Sequence, residues 1–236
     1  MFGGFVRRPR RIPWTEISAN IYSAGAQALA ITALVAFLIG IVLSYLSAQQ
    51  LQAFGANQYI VNILGLAVIR GLGPVLSAPR FSWRARSGSA ITAQIGVMRV
   101  TEELDAMQVM GIPHGLRLVL PRVIALGVAM PLLVMWTNII ALTGGVLAAK
   151  LVLSIDMNFF VRSLPSVVPI ANLWIGLGKG VVFGMLIALA ACHFGFRIKA
   201  NSQSLGEGTT TSVVTSITIV ILADAVFAIL FQNVGI

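Results

Sequence analysis

The sequence predicts an all-α integral membrane protein with an N-terminal interfacial helix, five transmembrane helices and a short cytoplasmic helix between spans two and three. Hydrophobic residues make up 58% of the 236 positions, and charged residues only 10%. The mean hydropathy is +0.93. Apolar runs of about 20 residues, the length that crosses a bilayer core, recur along the chain. A soluble domain of this size cannot bury so much apolar surface.

The first 25 residues have the pattern of a helix that lies in the membrane interface. Arginines cluster at positions 7–11, and Trp14, Ile17, Ile21 and Tyr22 follow at roughly helical spacing. Arginines suit anionic headgroups, and tryptophan suits the membrane boundary. The next apolar run is longer than the 7–15 residues typical of a signal peptide, so we expect an uncleaved span. The chain divides into this segment, residues 1–25, and a five-span domain, residues 26–236.

The five predicted spans are separated by polar links. They cover residues 26–46, 59–78, 123–149, 171–194 and 211–231. Arg70 and the run Gly71-Leu72-Gly73-Pro74 predict that the second span is kinked. The third span contains Pro131, and its pair Gly144-Gly145 predicts close packing against another helix.

The basic residues predict the orientation. Twelve of the 16 lysines and arginines lie in the N-terminal segment and in the links after spans two and four, whereas the links after spans one and three hold only Lys150 and Arg162. Basic loops remain on the cytoplasmic side of a membrane. We therefore expect a cytoplasmic N-terminus and a C-terminus on the opposite side. The same rule explains the net charge of +9, so we do not expect a nucleic-acid partner.

The link between spans two and three holds three of the seven acidic residues and has a helical pattern. Glu102, Glu103 and Asp105 lie in the predicted first turn, where carboxylates meet the positive end of the helix dipole. Thr101 is the predicted N-cap, and Gly111 ends the helix. An apolar face is predicted from the spacing of Val97, Val100, Leu104 and Met107. Such a helix either docks onto another protein or is a solvated connection, and periodicity leaves both open.

The residues form no convincing catalytic constellation. Gly178-Lys179-Gly180 lacks the first glycine and the hydroxyl of a phosphate-binding loop, so we do not expect ATP hydrolysis by that route. His114 and His193 are far apart in sequence and lack a nucleophilic-serine motif. Cys192 lies in an apolar run and is predicted to be a small core residue, not a zinc ligand.

Three charged residues lie inside predicted spans: Arg70, Lys179 and Asp224. An isolated charge near the bilayer centre costs about 2.5–3.5 kcal/mol, so each needs a reason to persist. One hypothesis pairs Lys179 of span four with Asp224, near the middle of span five. Another places Arg70 in a polar cavity beside an anionic headgroup. The alternative for each is a side chain that snorkels to the interface or packs within the protein.

Six runs of the sequence carry a family resemblance: Arg70-Gly-Leu-Gly-Pro-Val-Leu, residues 86–107, Val109-Met-Gly-Ile-Pro, Leu120-Pro-Arg, Thr209-Thr-Thr-Ser-Val-Val and Ala223-Asp-Ala-Val-Phe-Ala. These runs resemble the MlaE-type permeases, the membrane subunits of ABC transporters that move lipids with MCE-domain proteins. The runs follow one another in order and cover most of the chain from span two onward. Each run is weak alone, but together they are specific.

The resemblance implies a homodimer in the bacterial inner membrane, with its C-terminus in the periplasm. It implies a cytoplasmic ABC ATPase, which binds the ATP, docked on the link between spans two and three. An MCE-domain protein is implied on the periplasmic side, with a phospholipid held between the two copies and no cofactor in the chain itself. The residues assigned to ATPase coupling are Arg99, Thr101, Glu102, Glu103, Asp105, Met107 and Met110. Those assigned to lipid binding are Leu43, Leu46, Phe54 and Arg70.

This chain departs from the family pattern in three places. Gly71 and Gln94 stand where the family usually has an acid, so a role that needs those carboxylates is not carried over. The stretch Pro79–Ala85 has seven residues where five are usual.

We expect a non-catalytic permease subunit, and two other classes of function are weighed against it. An ion-coupled carrier acting without an ATPase would use Lys179 and Asp224 as a relay and typically shows inverted repeats. An enzyme acting on lipids would group histidines and carboxylates near one interface. Lipid movement by the chain alone would identify the carrier, and chemical change of the lipid would identify the enzyme.

Overall fold

The computed structural model describes residues 14–56, 59–75, 88–111, 115–198 and 201–232. Within these ranges the regular structure is helical, without strands, which confirms the predicted all-α class. The α-helices are α1 (Trp14–Ala53), α2 (Ile60–Leu66), α3 (Gly88–Val100), α4 (Glu103–Val109), α5 (Leu120–Leu153), α6 (Met157–Val167), α7 (Ile170–Arg197) and α8 (Ser202–Leu230).

Four helical stretches are long and apolar enough to cross a membrane. They are Leu29–Ala53, Arg117–Leu153, Ile170–Arg197 and Gln203–Leu230. They correspond to predicted spans one, three, four and five. Predicted span two contains a shorter apolar helix, Ile60–Val75. At about 1.5 Å per residue this helix is shorter than the roughly 30 Å of a bilayer core. A fifth crossing therefore stays a prediction.

The helix Ile60–Val75 is interrupted where the sequence predicts a kink. We call it the broken helix. It begins as α2, continues as a π-helical segment, Ala67–Leu72, and carries Pro74 just beyond. Proline removes a backbone donor from a helix, and π-helical turns accommodate the misfit. The interruption is therefore a direct consequence of the local sequence.

The first helix is longer than predicted. α1 has 40 residues and runs without a break through the expected boundary at residues 25–26 and through most of the expected link after residue 46. The predicted link was therefore wrong for residues 47–53. The arginine cluster at positions 7–11 lies outside the described residues, so the interfacial helix stays a prediction.

Two predicted links are largely helical. Helix α8 begins at Ser202, although residues 197–210 were expected to be a polar link. The Asn201 side chain accepts a hydrogen bond from the Ser204 N–H at 2.7 Å and so caps the helix. The hydroxyls of Thr209 and Thr211 donate to carbonyls of the preceding turn. The other link, residues 150–169, contains α6, whose Phe160 is buried against α2.

The helices form a bundle with two distinct ends. α1 and α5 run parallel. The Leu29 carbonyl of α1 accepts a hydrogen bond from Trp136, midway along α5, and Gln52, near the end of α1, donates to the Val152 carbonyl near the end of α5. α7 runs antiparallel to α5, since Gly184 lies against Leu126 and Gly180 against Pro131. We call one end of the bundle the α4 end, where α5 and α8 begin, and the other the α6 end.

Close packing of α1 on α5 depends on glycine. A Cβ added at Gly144 would lie 2.4 Å from the Phe37 carbonyl oxygen, and one added at Gly40 would lie 2.0 Å from that of Ala141. Both contacts are with backbone, which cannot turn away as a side chain does. The predicted close-packing role of Gly144 is confirmed, and it allows the backbones of α1 and α5 to approach directly.

We expect Gly144→Ala to destabilise the purified protein by about 1–3 kcal/mol, because the new methyl group overlaps backbone atoms of α1. Thermal unfolding in detergent measures the effect. The matched control is Gly178→Ala on α7, where an added Cβ meets nothing within 4 Å. Equal unfolding midpoints for the two variants would contradict this interpretation of the α1–α5 contact.

Candidate functional site

The centre of the candidate site is a carbonyl that Pro74 leaves without its α-helical partner. In an α-helix the carbonyl of Arg70 would accept from the N–H of residue 74, but proline has none. Here the carbonyl accepts from Lys179 Nζ, at 3.4 Å. A side chain from α7 therefore donates to a carbonyl of the broken helix that has lost its α-helical donor.

Lys179 also forms the predicted ion pair. Its Nζ lies 2.9 Å from Asp224 Oδ1 of α8, and the lysine is buried, with 4% of its surface exposed. The hypothesis of an ion pair between the fourth and fifth spans is confirmed. Lys179 does not snorkel, since its charge is satisfied inside the bundle. The position of Asp224 was less accurately predicted, because it lies in the last two turns of α8 rather than near the middle.

The side chain of Arg70 also links the broken helix to α7 and α8. Its Nη1 donates to Asn172 Oδ1 of α7 at 3.4 Å, and its Nη2 donates to the carbonyl of Phe231 at the end of α8. A cation is favourable at a helix C-terminus, where the last carbonyls have no intrahelical donor. We call Arg70, Asn172, Lys179, Asp224 and the Phe231 carbonyl the polar network.

One face of α7 meets the broken helix, and the residues that make this contact recur at helical spacing. Asn172, Gly176 and Lys179 recur every three or four residues and so lie on one side of α7. A Cβ at Gly176 would be 2.7 Å from the Ile69 carbonyl oxygen. Glycine therefore lets α7 approach closely enough for Lys179 to reach Arg70. Sequence reasoning missed Asn172, although its spacing from Lys179 was a usable signal.

The acidic helix α4 is shorter than predicted and starts differently. Thr101 is not its N-cap, because the Thr101 hydroxyl donates back to the Val97 carbonyl of α3 at 3.0 Å. Glu102 precedes α4 in a left-handed conformation, with φ of 59°, and makes no side-chain cap. Gly111, with φ of +71°, lies just beyond the helix, which confirms the predicted stop.

Most residues assigned to ATPase coupling lie on the surface of the α4 end. Those that are exposed are Arg99, Thr101, Glu102, Glu103, Asp105 and Met110, while Met107 is half-buried. The predicted continuous apolar face was wrong, because Val97 and Val100 belong to α3 and are exposed. Leu104 alone is fully buried, at 3% exposure, and it packs in the core with residues of α3, α5 and α7.

Polar contacts fix α3, the helix that carries α4, to the bundle. Thr92 Oγ1 lies 3.0 Å from the Ala191 carbonyl of α7 and 2.8 Å from Ser212 Oγ of α8. Arg122 of α5 donates to Gln94 Oε1 at 3.2 Å. Gln94 stands where the family usually has an acid. It accepts a hydrogen bond from an arginine although its own side chain carries no negative charge. Sequence reasoning did not identify Thr92 or Arg122.

The predicted lipid-binding residues do not form one contact group in the described chain. Arg70 bonds to α7 and α8, whereas Leu43 is half-buried and packs against core residues of α2 and α5. Leu46 and Phe54 are exposed, Phe54 at 85%. Their role in lipid binding stays a prediction.

Comparison with known protein families matches residues 17–230 to the family described as permease MlaE. The chain belongs to the MlaE permease family. The matched range contains the polar network except for the Phe231 carbonyl, and it contains all of α4. The family resemblance inferred from the sequence motifs is confirmed.

Relatives of this MlaE-family chain are found in bacteria and in a plant. A probable ABC transporter permease protein of Synechocystis is 32% identical over 212 residues, which cover 89% of this chain and 80% of that protein. The intermembrane phospholipid transport system permease protein MlaE of Haemophilus influenzae is 29% identical over 237 residues, covering 100% and 90%. The chloroplastic protein trigalactosyldiacylglycerol 1 of Arabidopsis thaliana is 27% identical over 226 residues, covering 95% and 64%.

For this MlaE-family chain we expect Asp224→Asn to cost about 3 kcal/mol of stability, because it leaves a buried ammonium without its carboxylate. The double variant Lys179→Met with Asp224→Asn should lose less than the sum of the two single losses. Recovery should be partial, since Lys179 also donates to the Arg70 carbonyl. Thermal unfolding of the two single variants and of the double variant measures the three losses of stability.

The control for the ion pair is Glu207→Gln, an exposed acid on the same helix. It should unfold like the wild-type protein, since exposed charges contribute little. Strictly additive losses in the double variant would show that the two charges are not energetically coupled.

Proposed function

We propose that this chain is the permease subunit of an ATP-driven transporter for phospholipid or a similar lipid. A separate ABC ATPase binds and hydrolyses the ATP, so the chain needs no cofactor of its own. The names of its relatives support this proposal, since they include ABC transporter permeases and a phospholipid transport permease.

The observation that carries the proposal is the construction of α4. Its acidic residues Glu103 and Asp105 are exposed, while Leu104 between them is buried in the core of the bundle. A partner that binds the acids can therefore move the helix, and the buried leucine passes the displacement to α5 and α7. A solvated connecting helix would not need such an anchor.

The charge distribution supports a cytoplasmic location for the α4 end. The described basic residues near this end are Arg99, Arg117, Arg122 and Arg197, against Lys150 and Arg162 near the α6 end. By the positive-inside rule the ATPase then meets α4 in the cytoplasm, and α8 ends in the periplasm. We place the MCE-domain protein at the α6 end and Ile60–Val75 as the fifth element within the bacterial inner membrane.

Apolar surface on α1 and α8 supports a second copy of the chain and a lipid between the copies. The apolar stretch of α8 that is long enough to cross a membrane contains an 18-residue window in which few residues are buried within the chain, 11% of them. In the corresponding window of α1 the buried share is 22%. On α1, Leu34, Leu38, Val42 and Leu46 recur every four residues as an exposed stripe. We propose that Leu43, Leu46 and Phe54 approach the acyl chains and that Arg70 approaches the headgroup.

Reconstitution tests the function directly. The chain is purified from its native membrane with its bound ATPase, placed in vesicles, and assayed for transfer of a fluorescent phospholipid. Transfer should require ATP and both proteins. Transfer by the permease alone, driven by an ion gradient, would identify an ion-coupled carrier instead, and chemically altered lipid would identify an enzyme.

We expect the triple variant Glu102→Gln, Glu103→Gln and Asp105→Asn to lower ATPase association about tenfold or more, because it removes the charges that face the partner. The fraction of ATPase that co-purifies measures the change. The control is Asp156→Asn, an exposed acid at the α6 end. If the triple variant bound the ATPase as well as the wild-type protein does, α4 would not be the element that couples the two subunits.

A further inference from the structure

One amide deep in the bundle has no hydrogen-bond partner among the described residues. Asn138 of α5 is 4% exposed, and neither its Oδ1 nor its Nδ2 bonds to any residue that the structure describes. A buried donor or acceptor left unsatisfied is costly, and such groups are rare in native proteins. An asparagine at this position therefore requires a physical explanation.

The amide lies directly against the broken helix. A Cβ added at Gly73 would be 1.8 Å from Asn138 Oδ1, so the side chain occupies the open face of that glycine. Gly73 ends the π-helical segment, and its N–H bonds to the Val68 carbonyl five residues earlier. The unsatisfied amide thus faces the point at which the helix leaves α-helical geometry.

We propose that the broken helix is a two-state hinge and that Asn138 is the residue that positions its second state. In the described state the segment Ala67–Leu72 is π-helical, Lys179 donates to the Arg70 carbonyl, and the Asn138 amide bonds to no residue of the described ranges. In the second state the segment changes its hydrogen-bond register, and backbone groups around Gly73 bond to the Asn138 amide. The proposal rests on the proposed transport function, in which the permease alternates between states.

The two states exchange one set of hydrogen bonds for another. A change from π- to α-helical register rotates the residues beyond it by about 100°, which brings different backbone groups of residues 73–75 toward α5. The amide gains partners in the second state, while Lys179 loses its contact with the Arg70 carbonyl and keeps its pair with Asp224. The hydrogen bonds that the amide gains oppose the one that the Arg70 carbonyl loses, and a small difference in free energy between the two states would allow both to be populated.

Hydrogen–deuterium exchange of the full-length protein in lipid nanodiscs tests the hinge. In the wild-type protein, amides of residues 67–75 should exchange faster than those of the adjoining helices. Asn138→Leu removes the amide that favours the second state, so exchange in this segment should slow on the order of fivefold or more. Asn138→Ala removes the same amide without adding a branched side chain, and it decides the outcome if the leucine variant does not fold.

The matched control is Ser44→Ala. The Ser44 hydroxyl is also fully buried and without a partner in the described part of the chain, but it lies on α1. This variant should leave exchange of residues 67–75 unchanged. In the complex with the ATPase, both Asn138 variants should lower ATP-driven lipid transfer about fivefold or more, while Ser44→Ala transfers normally.

Unchanged or faster exchange in a folded Asn138 variant would overturn the hinge. So would slowed exchange combined with normal lipid transfer, since the hinge would then not serve transport. If the wild-type complex itself moves no lipid, the proposed function fails, whereas the exchange measurement on the permease alone still decides whether the hinge exists.

Discussion

Burial of the Lys179 ammonium among apolar helices is the constraint on which the bundle depends. A charge in this setting must be paired and hydrogen-bonded, and Lys179 finds Asp224 on α8 and the Arg70 carbonyl on the broken helix. Three elements must therefore meet at one point. Gly176 makes this possible by allowing α7 to lie against the broken helix. The polar network is consequently both a structural junction and the part of the bundle most sensitive to movement of the broken helix.

The two ends of the protein are joined through α7 and α8. At the α4 end, α3 is fixed to both helices through Thr92, and α4 is anchored by Leu104. Toward the α6 end, the same two helices carry Lys179 and Asp224. Displacement of α4 by a partner therefore has a continuous packed path to the polar network. In the proposed transporter this path connects the ATPase to the region where Arg70 would meet lipid.

Physical rules explain which features the sequence could predict. Hydropathy identified the four long helices, and the cost of an isolated intramembrane charge led to the pair of Lys179 with Asp224. Local rules were less successful where side chains had a choice of partner. Thr101 bonds to the preceding helix instead of capping the next one. The polarity of the threonines near the start of α8 suggested a link, but their hydroxyls donate to carbonyls of the same helix and are compatible with it. The contact of Asn138 with Gly73 depends on tertiary packing alone and left no signal in the sequence.

In the proposed transporter, the broken helix moves against α8 as its hinge changes state during transport. Spin labels at Gly71, in the segment that changes register, and at Val226, exposed on α8, report this movement by pulsed electron paramagnetic resonance once Cys192 is replaced. A Cβ added at Gly71 meets nothing within 4 Å. In the complex with the ATPase, ATP should shift the population from one distance to a second. A single distance, identical with and without ATP in complexes that transfer lipid, would show that the broken helix does not move against α8 during transport.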